Sequence, residues 1–357
     1  MEHEIKGPFH LKKELMSTFL ITGGAGFIGS HLAERLLKLD QHVVIIDDLS
    51  SGNIKNIAHL RGDPRLRVVL ESLTAQHILA EVVDVADVVV HLAATVGVFN
   101  IIESPALTIV NNVGGSEAVL KAAAKKKKKV IVASTSEVYG KSADLPFRED
   151  GDLVFGPTSK PRWSYAASKA IDEFLALSFW HQFGVPTVVV RLFNTIGPRQ
   201  VGHYGMVVPR FMTQALLSQD LTVYGSGRQT RCFTYVSDIV EGILLLASND
   251  RAVGEVFNLG NSKEIAIADL AEKVITVTRA NVGIRYVPYE RAYQEGFEDM
   301  ERRVPDITKA NNLTGFSPKV DLDQALRLIR DWFVNDKILV DATAFKYTTY
   351  SETEELV

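Results

Sequence analysis

The stretch FLITGGAGFIGSHLAERLL, residues 19–37, admits few folds. An apolar run of strand character meets a cluster of glycines and passes at once into a helical pattern. Gly24, Gly26 and Gly29 satisfy G-x-G-x-x-G, with Gly23 ahead of them and Phe27 and Ile28 between. That spacing asks for a tight turn, a backbone that a pyrophosphate can approach, and close helix–strand packing, with the anion at the helix N-terminus. The acid such a turn requires follows at the end of the next strand. Asp47, in VVIIDDLSSGN, lies 18 residues after Gly29, where a carboxylate can accept both hydroxyls of a ribose. A carboxylate there repels a 2′-phosphate, so the turn is read as an NAD site rather than an NADP site. Asp48 is read as a surface residue.

The rest of the first half keeps the same rhythm. HVVIIDD, RLRVVLE, ADVVVHLAA, KVIVAST and TVVVRLFN are short runs rich in Val and Ile, apolar on both faces, separated by helical stretches such as NNVGGSEAVLKAAAKK. Strands buried on both sides and alternating with helices imply a parallel sheet covered on both faces. The fold class is therefore α/β: a Rossmann-type doubly wound parallel sheet with a smaller C-terminal α/β substrate domain. The expected division is an N-terminal extension over 1–16, the dinucleotide domain over 17–195, a substrate domain mainly over 196–340 with some segments returning to the sheet, and a polar tail over 341–357.

Composition excludes several classes. A net charge of −4 with 23% charged residues gives no electrostatic case for nucleic acid or an anionic membrane. The one basic run, Lys125 to Lys129, falls where a helix ends and a strand begins, so its lysines complement the macrodipole. No apolar run reaches the roughly 18–20 residues that span a bilayer. A single cysteine, Cys232, fits a reducing cytoplasm. No metal site is read.

TGGAGFIG, DDLSSGN, HLAA, STSEVYG, YAASK, RLFNTIGPRQ, TRCFTYVSD and RRVPDITKA stand in this order between Ser17 and Phe333. Together they resemble the extended short-chain dehydrogenase/reductase family, in its nucleotide-sugar epimerase, dehydratase and decarboxylase branch. The resemblance implies a homodimer joined through Rossmann-domain helices, and an NDP-sugar, taken as a UDP-sugar, as substrate. It makes Tyr165 and Lys169 of YAASK catalytic, with Thr135 of STSEVYG completing the triad. A phenol is a poor base at neutral pH, and a neighbouring ammonium on the same helical face, together with a positive nicotinamide ring, lowers its pKa. Ala93 and Asn111 are then expected to line the cofactor. Asn194, Arg231 and Arg303 are expected to face the sugar nucleotide, arginine being suited to a diphosphate. One departure is Ser72, which stands where the family often carries an adenine-binding aspartate.

The reaction turns on a few residues. Family dehydratases place an Asp-Glu pair after the threonine; here Ser136 and Glu137 follow Thr135, so elimination of water lacks its acid. Thr-Ser-Glu resembles the UDP-glucuronate decarboxylases, and KPRWSYAASK resembles the decarboxylase domain that begins lipid A aminoarabinose synthesis. Oxidation at C4 makes C6 the carboxylate of a β-keto acid, so CO₂ leaves and C5 must be protonated. Glu137, Ser136 and Arg303 are expected to provide the proton-donating environment, and Arg162, three residues before Tyr165, to meet the sugar carboxylate. The expected activity is oxidative decarboxylation of UDP-glucuronate. A UDP-sugar 4-epimerase is the alternative, because it wants the same arginines, and a catalytically inactive NAD(H)-binding regulatory protein is the non-enzymatic one.

Overall fold

The computed structural model describes residues 16–97, 104–202, 206–288 and 300–335. The expected extension up to residue 15 and the polar tail over 341–357 lie outside the described residues. Strands β1 (Thr18–Thr22), β2 (His42–Asp47) and β3 (Leu66–Leu70) alternate with helices α1 (Phe27–Lys38) and α2 (Gln76–Val85). Then come β4 (Val88–His91), α3 (Pro105–Ala124), β5 (Lys129–Thr135), α4 (Trp163–Phe183), β6 (Thr187–Leu192) and the short β7 (Thr195–Ile196). Beyond them lie α5 (Val207–Leu216), β8 (Leu221–Tyr224), β9 (Thr230–Cys232), β10 (Thr234–Tyr235) and α6 (Val236–Ala247). The chain continues through β11 (Val256–Leu259), β12 (Glu264–Ala266), α7 (Ile267–Thr278), β13 (Ile284–Val287), α8 (Thr308–Thr314) and α9 (Leu322–Asn335).

Seven parallel strands form one sheet in the order β11-β6-β5-β4-β1-β2-β3. Alternation along each strand sends side chains to two separate cores. Ile21, Val43 and Ile131 pack under α1 and α6, while Leu20, Val44 and Val130 pack under α2, α3 and α4. The Val/Ile runs of β1, β2, β4, β5 and β6 are continuous because both faces are covered; β3, at the sheet edge, departs from that expectation and leaves Val68 and Leu70 exposed. A third core joins α5, α7 and α9 around Phe211, Leu270 and Leu326, and carries the small parallel pair β13–β8. The lysine run behaves as its sequence suggests: α3 ends at Ala124, and Lys129 opens β5.

The segments after Ile196 divide between the two bodies. β5, β6 and β11 pair in parallel, Val189 standing beside both Val132 and Val256, so β11 extends the large sheet. α6, apolar on most of its surface, buries Ile239 and Ile243 against the same core as α1. A helix with apolar residues on all sides needs cover on more than one side, and the sheet face provides it. Between β1 and β4 the strand order reverses direction. Ligands of open α/β sheets bind outside the strands' carboxyl ends at such a point.

Candidate active site

At the reversal, the chain leaving β1 turns through Gly23 with φ +71, a backbone conformation that glycine adopts freely. A Cβ on Gly23 would stand 2.9 Å from the Ala93 backbone, and one on Gly29 only 2.3 Å from the Gly23 carbonyl oxygen. These glycines therefore hold a bare backbone cradle, and α1 opens from Gly26 with no side chain capping it. Asp47, at the end of β2, accepts from Ala25 N through Oδ2 and from Leu49 N through Oδ1, both at 2.8 Å. Each carboxylate oxygen retains a further acceptor position for a ribose hydroxyl. Burial pushes the Asp47 carboxyl up, against the pull of those two N–H groups. A bare backbone cradle at a helix N-terminus beside an acid at this position fits NAD.

The cleft that starts here has a volume of about 750 Å³ and runs from the glycine turn to the third core. Every candidate catalytic, cofactor and substrate residue from the sequence lines it except Gly24, which a Cβ would drive into the Ile45 side chain. Gly24 is thus a packing position. Ser72 lines the adenine end, its N–H donating to Glu71 at 2.8 Å.

β5 delivers Thr135 to the cleft floor, and α4 presents Tyr165 and Lys169 across from it. The Thr135 hydroxyl hydrogen-bonds the Tyr165 phenol. The expected electrostatics need correction. Burial, Glu137 and Asp172 push the phenol's pKa up; Thr135 and Arg162 oppose them. Lys169 instead gives its ammonium to Asp172 Oδ2 at 2.6 Å. Without a positive nicotinamide ring, Tyr165 keeps its proton.

Glu137 departs from the role its position suggests. Burial alone would raise its carboxyl, but the guanidinium groups of Arg162 and Arg303 reverse that and hold it at about 2. Arg162 Nη1 donates to Oε2, and Arg303 Nη1 to Oε1 at 3.2 Å. Glu137 is therefore a fixed carboxylate near neutral pH and no proton donor; its work is to hold two arginines at the cleft. Arg303 arrives on a segment docked to the Phe147 loop, where Phe147 N donates to the Val304 carbonyl at 2.7 Å and Asp306 N to the Phe147 carbonyl at 2.8 Å.

Towards the third core, Asn194 donates to the Cys232 carbonyl at 3.3 Å, and Arg231 donates to the Thr230 carbonyl at 2.7 Å. The sequence reading missed Arg210 and Tyr224, which also line the cleft; the guanidinium lies 3.9 Å from the ring centroid. Their only sequence signal was an aromatic ending a short strand. It also missed His91, Ser116 and Asp172, which lie behind the floor. Asp172 was detectable, three residues beyond Lys169 on the same helical stripe.

The chain is similar to known proteins over most of its length. The family described as GDP-mannose 4,6 dehydratase matches residues 20–329. The UDP-N-acetyl-alpha-D-glucosaminuronate decarboxylase of Bacillus cytotoxicus is 45% identical over 315 residues, which are 88% of this chain and 97% of that protein. UDP-glucuronic acid decarboxylase 1 of Arabidopsis thaliana is 36% identical over 314 residues, 88% of this chain and 69% of that one. Among solved structures, the UDP-glucuronic acid 4-epimerase of Bacillus cereus, in complex with UDP-glucuronic acid and NAD, superposes with a TM-score of 0.80 at 29% identity. That similarity covers 89% of this chain and 99% of the other.

Replacing Glu137 by Gln removes a shared counter-charge from two largely buried guanidinium groups, and should cost about 3 kcal/mol of stability at pH 7. A carboxylate with a depressed folded-state pKa stabilises above its unfolded value of 4.5 and loses that contribution as pH falls through about 2. Denaturant unfolding of both proteins should therefore show a gap that is full at neutral pH and narrows below 4.5.

Proposed function

Since this chain belongs to the GDP-mannose 4,6 dehydratase family, within the NAD-dependent extended short-chain dehydrogenases/reductases, we propose that it oxidises a UDP-hexuronate at C4 and releases C6 as CO₂. The observation that carries the reading is the Arg162–Glu137–Arg303 clamp beside Tyr165. It sets two positive side chains next to the residue that handles the C4 proton, where a uronate carboxylate can be recognised. UDP-glucuronate is the substrate that the resemblance of the motifs implies. Its 2-acetamido counterpart is a second reading, favoured by the 45% identical relative from Bacillus cytotoxicus.

NAD, held by the glycine turn and Asp47, would supply the hydride acceptor at C4. The chain's residues do the rest. Tyr165 takes the proton of the C4 hydroxyl, Thr135 fixes the phenol by hydrogen bonding, and Lys169 favours its ionised form. With a ketone at C4, the C5–C6 bond breaks, its electron pair forms an enolate, and CO₂ departs. C5 then takes a proton from water; where the product is the pentose rather than its 4-ketone, Tyr165 gives its proton back to the C4 oxygen as the hydride returns. Glu137 keeps the arginines in place throughout. The dehydratase route lacks an acid at Ser136 and is not proposed.

Incubation with NAD⁺ and each of the two UDP-hexuronates, followed by NMR of the products, tests this. A UDP-pentose or its 4-ketone with CO₂ supports it; a C4-epimeric uronate as sole product overturns it. Tyr165→Phe should lose about 10²–10⁴-fold in turnover while binding NAD within a few-fold.

We also propose that two copies pair through α3 and α4. Leu107, Val110, Ile171 and Phe174 leave these adjoining helices open on one side, Val110 and Phe174 at 67% and 69% exposure. A second copy presenting the same pair buries that face against itself. In light scattering Phe174→Glu should halve the mass of the native particle; an unchanged mass would place the interface elsewhere. Among the described residues no helix is long and apolar enough to cross a membrane. We place the protein in the cytoplasm, where its buried Cys232 stays reduced.

A further inference from the structure

The face of α4 that carries Tyr165 and Lys169 also buries an acid for which the mechanism above has no use. Tyr165, Lys169 and Asp172 fall at i, i+4 and i+7, one stripe of the helix. Asp172 is fully buried and Lys169 is 3% exposed. Replacing such a pair by apolar residues of similar volume is often neutral or stabilising, so stability alone gives no reason for it. Asp172 Oδ1 makes no hydrogen bond among the described residues, which is a further cost.

The acid is held in place from behind. The Ser116 hydroxyl lies alongside its carboxylate and, after Lys169, favours its charged form. Ser116 in turn hydrogen-bonds His91 Nε2 at 3.1 Å, and His91 Nδ1 pairs with Thr22 Oγ1 at 2.8 Å. Thr22 Oγ1 accepts from Ala93 N, in the wall of the cofactor cleft. Burial, with Lys169 nearby, lowers the His91 pKa to about 3, so the imidazole is neutral and adds no charge. A rigid polar line thus runs from the ends of β1 and β4 to Asp172.

The geometry points to Asp172 as a positioning residue: its carboxylate competes with the Tyr165 phenol for the Lys169 ammonium and so sets how readily Tyr165 gives up its proton. This rests on the reading of Tyr165 and Lys169 as the reacting pair. The other charges around the phenol are Glu137, after β5, and Arg162, at the start of α4. Arg303 acts on them through Glu137, and Glu173, paired with Arg191, acts on Asp172. Asp172→Asn leaves all of these in place and removes one negative charge from the stripe.

The test needs no uronate, so it stands whether or not the protein decarboxylates. With 3-fluorotyrosine at position 165, the ¹⁹F resonance is followed against pH with NAD⁺ present. Asp172→Asn should lower the midpoint by about one unit; an unchanged or higher midpoint overturns the proposal. A structural role alone would change melting without moving that midpoint. Melting of Lys169→Met with and without Asp172→Asn checks that the two groups are partners. The double variant should melt higher than Lys169→Met alone, because the acid left uncompensated by Lys169→Met is then gone. Equal or lower melting shows that Asp172 does not hold the ammonium, and overturns the proposal.

Discussion

A single phenolic oxygen is balanced among charges that the fold brings to one place. Two carboxylates, Glu137 and Asp172, raise the proton affinity of Tyr165, and the Thr135 hydroxyl and Arg162 oppose them. A phenol so placed is a proton holder until a positive ring arrives beside it. On the proposed reading, a nicotinamide cation beside the phenol lowers that affinity, and proton abstraction is conditional on NAD⁺ being bound.

The sheet explains how these groups meet. Parallel strands put all their carboxyl ends at one edge, so Asp47, Ala93 and Thr135 gather around the reversal between β1 and β4. Helix α4, packed on α3, brings Tyr165 and Lys169 over that edge and Asp172 beneath it. The return of β11 to the sheet anchors the far side. Asn258 in β11 donates to the Phe147 and Asp306 carbonyls, steadying the loop and segment that flank Arg303. A cleft-lining arginine thus owes its place to a strand over forty residues earlier in the chain.

The parts legible in sequence were those encoded by short spacing. Gly24-x-Gly26-x-x-Gly29, Asp47 after its strand, and Tyr165 with Lys169 each state a local geometry, and the cleft contains all of them but Gly24. The parts that escaped depend on distant pairings. Glu137 reads as an acid until Arg303, 166 residues away, is seen to bind it. Asp172 reads as one more helix carboxylate until Ser116 and His91 enclose it. Nothing in the residues of α6 themselves assigns it to the large sheet rather than the smaller body.

Clamp and phenol together define where a substrate must lie, and a structure of the protein with NAD⁺ and a UDP-hexuronate tests that placement most directly. The account predicts the C4 hydroxyl within about 3 Å of Tyr165 Oη, with the C6 carboxylate against Arg162 and Arg303. A sugar bound with C4 remote from that oxygen, or with its carboxylate turned to solvent, would contradict it.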